Sequence, residues 1–204
     1  MRDSIIARTV GESVEIWDTE WGYASDDYFS KYLRSDGHSA AGRKRQAVLA
    51  CREVLTVWAL ALPVAVWYDL RDDGEDPANP GQNYGLLDGE NSDKPAMKAL
   101  RTLTNIASNH VYLGMAENVP DGAHVMCLEG SSDEIFAIWG EDPASIITVR
   151  FPEKGFISAT NLLGEPLQPK NDGHGEAEIA LSEADGPVYT KFAPRWLRGV
   201  DSIQ

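Results

Sequence analysis

Two blocks of the chain carry aromatic and acidic residues in an order that could do chemistry. In the first, Val14-Glu15-Ile16-Trp17-Asp18-Thr19-Glu20-Trp21-Gly22-Tyr23, an apolar run stops abruptly and leaves the carboxylate of Glu20 between Thr19 and Trp21. A carboxylate at the C-terminal end of a strand, flanked by aromatic rings, suits chemistry on sugars. The ring faces hold a pyranose while the carboxylate attacks its anomeric carbon. The second block, Trp67-Tyr68-Asp69-Leu70-Arg71-Asp72-Asp73-Gly74, repeats the order of apolar run, aromatic pair and acidic loop. Read alone, a Glu at a strand end is more often solvated or salt-bridged than catalytic, and a Trp beside apolar residues is ordinary core. Trp21, Tyr23 and Trp67 are the candidates for a sugar-stacking wall. Tyr68 is a candidate hydrogen-bond donor to Glu20 or to substrate, and Trp17 and Trp58 read as packing residues.

The elements that must position these groups follow from periodicity. Residues 14–19 read as a buried strand and 24–38 as a loop. From Ser39 to Leu62 the apolar residues Ala47, Ala50, Cys51, Val54, Leu55 and Trp58 recur at helical spacing, with Ser39 as N-cap and Pro63 as terminator. Residues 64–68 form a second apolar strand, and 69–95 a long loop rich in Asp, Gly, Pro and Asn. Pro95 opens a further helix running from Ala96 to Asn109. Strand, helix, strand, helix, with apolar strands, predicts a parallel sheet covered on both faces. After Gly114 short alternating runs take over: 123–129, 134–140, 145–150, 156–159, 177–181 and 188–192. Turns such as Gly130-Ser131-Ser132-Asp133 and Asn171-Asp172-Gly173 separate them. That spacing predicts a small antiparallel β-sandwich. The domain boundary is expected near 112–121, giving an α/β part over 1–112 and an all-β part over 113–204.

At 204 residues the chain can bury one good core or two small ones, and its 43% hydrophobic and 25% charged residues are ordinary for a globular protein. A net charge of −14 repels phosphate backbones, and Arg43-Lys44-Arg45 is too short to offset it, so no nucleic-acid partner is expected. The apolar stretch from Val54 to Trp67 contains Pro63 and is too short to span a membrane, so no membrane partner is expected either. Met1 to Thr9 carries no apolar signal core, and localisation is left open. Cys51 and Cys127 read as buried free thiols. Asp69, Asp72, Asp73, Glu75 and Asp76 lack the order of a calcium loop and read as a solvated acidic loop. His38, His110, His124 and His174 are scattered, so neither a metal nor another cofactor is expected.

Taken in order, the motifs resemble one family. Trp17-Asp18-Thr19-Glu20-Trp21-Gly22 resembles the seventh-strand signature of the clan A glycoside hydrolases, retaining enzymes built on a (β/α)8, TIM-type barrel. Trp67 to Gly74 looks like their eighth strand and its loop. Asn83-Tyr84-Gly85-Leu86-Leu87 followed by Lys94-Pro95-Ala96-Met97-Lys98-Ala99-Leu100 resembles the run into the last barrel helix. Family 39-like and family 5-like enzymes are the nearest. The resemblance covers residues 10–110 well and implies the last two β/α units of a barrel followed by a small accessory sandwich. It puts Glu20 in the nucleophile position and Trp67 in that of a sugar-facing aromatic, with a β-linked glycan or glycoside as substrate.

One departure outweighs the matches. A retaining enzyme needs a second carboxyl group about 5 Å from the nucleophile to act as acid and then base. The family's Asn-Glu pair does not occur here; Glu90-Asn91 runs the wrong way. The acid/base is therefore expected outside this chain, on the missing N-terminal part of the barrel, and the chain alone is expected to be inactive. The rival reading is a non-catalytic remnant whose β-sandwich serves as a carbohydrate-binding or interaction module.

Overall fold

The computed structural model describes residues 15–25, 36–141, 146–171, 173–182 and 185–194. The architecture is mixed α/β, and the chain divides into two compact units, Met1–Lys94 and Pro95–Gln204.

In the first unit, strands β1 (Asp18–Trp21) and β2 (Ala65–Trp67) pair in parallel, with Asp18 opposite Ala65 and Trp21 opposite Trp67. The expected 14–19 strand is thus shifted toward its C-terminal side. The reason is the ladder: Asp18 N–H donates to the Val64 carbonyl and Tyr68 N–H to the Trp21 carbonyl at 2.7 Å. These bonds bound the pairing, while Val14 lies outside the described residues. The sheet is two strands wide among the described residues. Thr19, Glu20, Ala65 and Val66 are exposed in it, so the expectation of a sheet covered on both faces fails here.

Helix α1 (Ala40–Ala59) joins the strands, capped as expected by the Ser39 hydroxyl, which accepts from Gly42 N–H. Its apolar face buries Ala47, Val48, Ala50, Cys51 and Leu55. It ends before Pro63, because Ala61 turns into the left-handed region at φ 50°.

The segment after β2 is only in part the solvated acidic loop expected: Asp73, Glu75 and Asp76 are exposed, but Asp72 is buried. It folds back on itself: Leu86 N–H donates to the Asp69 carbonyl, Leu87 N–H to Leu70, and Asp72 N–H to Leu87. Gly85 is needed at this crossing, since a Cβ there would lie 2.1 Å from Asp72 N. Asp72 itself is only 6% exposed.

The second unit opens with helix α2 (Pro95–Ala107), which buries Ala96, Ala99, Leu103 and Ala107. Nine strands follow among the described residues: β3 (Val111–Met115), β4 (Ala123–Glu129), β5 (Glu134–Gly140), β6 (Ile147–Pro152), β7 (Phe156–Thr160), β8 (Pro166–Leu167), β9 (Lys170–Asn171), β10 (Glu176–Leu181) and β11 (Val188–Phe192). Among the described residues they form a six-stranded sheet, β3-β4-β5-β11-β7-β8, and a three-stranded one, β6-β10-β9. One buried cluster draws from both, with Val125, Phe136, Ile138 and Phe192 from the larger and Val149, Phe151, Ile179 and Leu181 from the smaller. Phe192 packs edge-on against Phe136 at 5.3 Å and Phe151 at 5.4 Å. Each such ring contributes about 1.5–3 kcal/mol by leaving water. The other face of the larger sheet is also buried at Met126, Leu128, Ile135, Ala137 and Tyr189.

The contacts divide the chain at Lys94/Pro95 rather than at the expected 112–121 stretch, which groups α2 with the sheets. Thr102 lies against Gly164, and His110, just past the helix, pairs with Asp133 at 3.1 Å. Neither cysteine is in a disulfide and both are buried, as expected. Burial raises the Cys127 thiol to about 11, helped by the charge of Glu134. No helix among the described residues is long and apolar enough to cross a membrane.

Candidate functional site

The C-terminal ends of β1 and β2 converge. Gly22 passes so close to β2 that a Cβ would sit 2.0 Å from the Tyr68 carbonyl oxygen. Only glycine lets the chain leave β1 along this path, and that crossing holds the two strand ends, with Glu20 and Tyr68, next to each other.

The side chains of the two strands fall into two sets. Trp21, Tyr23 and Trp67 form an aromatic cluster: Trp21 meets Trp67 edge-on at 4.7 Å, and Tyr23 lies 6.4 Å from Trp67. Two of the three are tied to protein by hydrogen bonds, whereas the buried Trp21 Nε1–H has no partner among the described residues. Trp67 Nε1–H donates to the Tyr84 carbonyl at 3.2 Å, and the Tyr23 hydroxyl donates to Glu53 of α1 at 3.3 Å. Burial and then Glu53 push the Tyr23 phenol up; burial likewise raises Glu53, opposed by the Tyr23 hydrogen bond.

The second set is open to solvent. Glu20 is exposed, and Tyr68 is 42% exposed. The Tyr68 hydroxyl donates to Asp73 Oδ2 at 2.8 Å, and its ring meets Tyr84 edge-on at 5.8 Å. That hydrogen bond to Asp73 raises the phenol above its ordinary value, with Asp69 and Glu20 adding smaller electrostatic contributions. Three carboxylates therefore act on one phenol, which stays protonated and able to donate at neutral pH. Asp69 is itself raised by burial and by Asp73 and Asp72. The expected Trp17 packing is not seen: Trp17 is 56% exposed, its indole N–H donating to Glu15 at 3.3 Å.

Sequence reasoning missed what anchors the acidic segment. Lys94 is fully enclosed, and its Nζ donates to Asp72 Oδ1 at 2.9 Å, the Asn83 carbonyl at 3.1 Å and Ser25 Oγ at 3.2 Å. Burial lowers the Lys94 ammonium, and Asp72 opposes that shift. Asp72 also accepts from Gly85 N–H at 2.8 Å. Gln46, buried in α1, points its amide at the Tyr23 and Tyr84 carbonyls, at 2.8 and 3.1 Å. One signal was available: Arg71 and Lys94 are the two cations in the stretch from Asp69 to Lys94, which holds eight carboxylates. No group of three metal-ligating side chains occurs among the described residues.

No protein-family model matches the sequence, and no curated protein matches it. Solved structures do. A family 39 glycoside hydrolase from the gut symbiont Bacteroides cellulosilyticus is similar over 91% of this chain, at a TM-score of 0.65 and 18% identity. A family 30 subfamily 8 xylanase from Clostridium acetobutylicum is similar over 90%, at 0.57 and 11%. A family 30 endoxylanase from Clostridium papyrosolvens is similar over 88%, at 0.54 and 10%. The chain spans 35%, 47% and 42% of these structures respectively, less than half of each. The fold is thus one found in glycoside hydrolases, as the sequence resemblance implied.

Proposed function

We propose that the chain is the C-terminal portion of a retaining glycoside hydrolase acting on O-glycosidic bonds of a β-linked glycan or glycoside. Residues 1–112 supply the last two β/α units of a barrel, and 113–204 an accessory sandwich. Contacts group α2 with the sheets; its place in the β/α order assigns it to the barrel. Glu20 is the nucleophile, and active sites of such barrels lie at the C-terminal ends of the strands. A Glu20 oxygen attacks the anomeric carbon as an acid/base outside this chain protonates the departing oxygen. Water deprotonated by that same group then releases the sugar and frees Glu20.

The observation that carries this reading is the exposed Glu20 beside the exposed Tyr68, at the converging ends of two parallel strands. The fold shared with family 39 and family 30 hydrolases supports it. Tyr68 and Trp67, with Trp21 and Tyr23, are the substrate-binding aromatics. In this arrangement Tyr68 meets the sugar, while Trp67, Trp21 and Tyr23 back it as a packed layer.

Two of the similar structures are xylanases, so β-xylosides are the first substrates to test. The test uses the chain joined to, or co-expressed with, the remainder of the barrel. A 2-fluoro glycoside should become covalently attached at Glu20, read by peptide mass spectrometry. Glu20→Ala should lower kcat by at least about 10³-fold. Attachment to any other residue would falsify the assignment.

A further inference from the structure

The second unit carries a cavity that the catalytic reading does not use. It has a volume of about 180 Å³ and lies on the face of the six-stranded sheet opposite the phenylalanine core. Two cross-strand rows line it. Ser158, Lys191 and Ile135 stand side by side in one, and Thr160 and Tyr189 in the next. Ile106 of α2 also lines it. That volume is far more than one water needs, yet below the roughly 300–1,000 Å³ of pockets for drug-sized molecules.

The chemistry of the lining is mixed. Ile106, Ile135 and the Tyr189 ring offer apolar surface, whereas Ser158 and Thr160 bring hydroxyls. Neither hydroxyl has a hydrogen-bond partner among the described residues. Ser158 is exposed and Thr160 half-buried, so the cavity opens on their side. Lys191 does not make it cationic. Its Nζ is 2.5 Å from Asp133 Oδ2, and His110 Nε2 holds Asp133 Oδ1 at 3.1 Å. With the cation neutralised inside a chain of net charge −14, an anionic ligand gains nothing here.

We infer that this cavity is a binding site for a single neutral polyhydroxylated molecule of monosaccharide size. The CH face of such a ring lies on Ile135, Ile106 and Tyr189, and its hydroxyls exchange hydrogen bonds with Ser158 and Thr160. For ten to twelve heavy atoms at ordinary ligand efficiency, the Kd falls roughly in the millimolar range. The site is independent of Glu20 and stands whether or not the catalytic proposal does.

The test is saturation-transfer NMR on the full chain with xylose, glucose and galactose, and with glucuronate as the anionic control. At least one neutral sugar should bind saturably, with glucuronate weaker. Thr160→Val, nearly isosteric, should weaken binding about fivefold through the lost hydrogen bond. Ile106→Trp should abolish binding by filling the cavity, and Glu20→Gln should leave it unchanged. Thermal unfolding checks that each variant folds. No saturable binding by any neutral sugar up to about 100 mM, binding that survives both cavity variants, binding lost in Glu20→Gln, or preference for glucuronate would each overturn the inference.

Discussion

Glu20 and Lys94 show how differently two charged residues can be used in the same unit. Glu20 is exposed and owes its interest to position, at the end of a strand beside an exposed phenol. Lys94 is enclosed and owes its role to the carboxylate it neutralises. Removing one partner of a buried pair strands the other charge, which costs about 3–5 kcal/mol. Lys94→Met should therefore lower stability by that order in denaturant titration. The double variant Lys94→Met/Asp72→Leu should recover much of the loss, because no charge is then left buried. Equal loss in both would mean that Lys94 acts through packing alone. Glu20 could be picked out from sequence because its neighbours Thr19, Trp21 and Gly22 are local. Lys94 could not, because its partners Ser25, Asp72 and Asn83 are scattered along the chain and meet only on folding.

Among elements, those that declare themselves locally were legible. Ser39 caps α1, and the alternation of Val125, Cys127, Phe136 and Ile138 marks β4 and β5 as sheet with a buried face. Strand β3 escaped notice because its pairing slips between Tyr112 and Gly114, which breaks the period of two. Strands β8 and β9, at two residues each, are too short to carry any pattern. The turn before β5 carries a further consequence. Asp133 is buried against Lys191 and His110; burial by itself would raise its carboxyl, but Lys191 and then His110 outweigh it and hold it below its ordinary value. A depressed acid contributes stability that is complete above its unfolded value, about 3.9, and is lost as pH falls through the folded value. Asp133→Asn should thus cost about 1–3 kcal/mol at neutral pH. It should also flatten the acid limb of the stability profile below about pH 4. An unchanged acid limb would show that other carboxylates set it.

For the whole molecule, both units leave large apolar side chains exposed, the second at Val111, Leu113, Ile146 and Ile157, but they differ in the sheets that carry them. The β-rich unit buries a contiguous core between two sheets, and every residue of β5 is buried on one face of its sheet or the other. The first unit leaves Trp17, Val66 and Leu70 exposed at 56%, 48% and 62%, with a sheet two strands wide among the described residues. If the catalytic proposal holds, this apolar surface is where the rest of the barrel adds on. The chain alone should bind a hydrophobic dye such as ANS, and co-expression with the rest of the barrel should suppress that binding while restoring turnover of β-xylosides. Dye binding that is unaffected by the added part would argue for the rival role, in which the sheets of 113–204 work as a module on their own.

Enclosure of the Lys94 amine also gives the molecule a built-in clock. An acylating reagent in solution tags the surface lysines at once but reaches Lys94 only when the segment from Asp69 to Lys94 swings open, since the Nζ has no exposed surface and is held by Asp72. The rate at which that single peptide gains mass therefore measures how often this edge of the proposed site breathes, one opening event at a time.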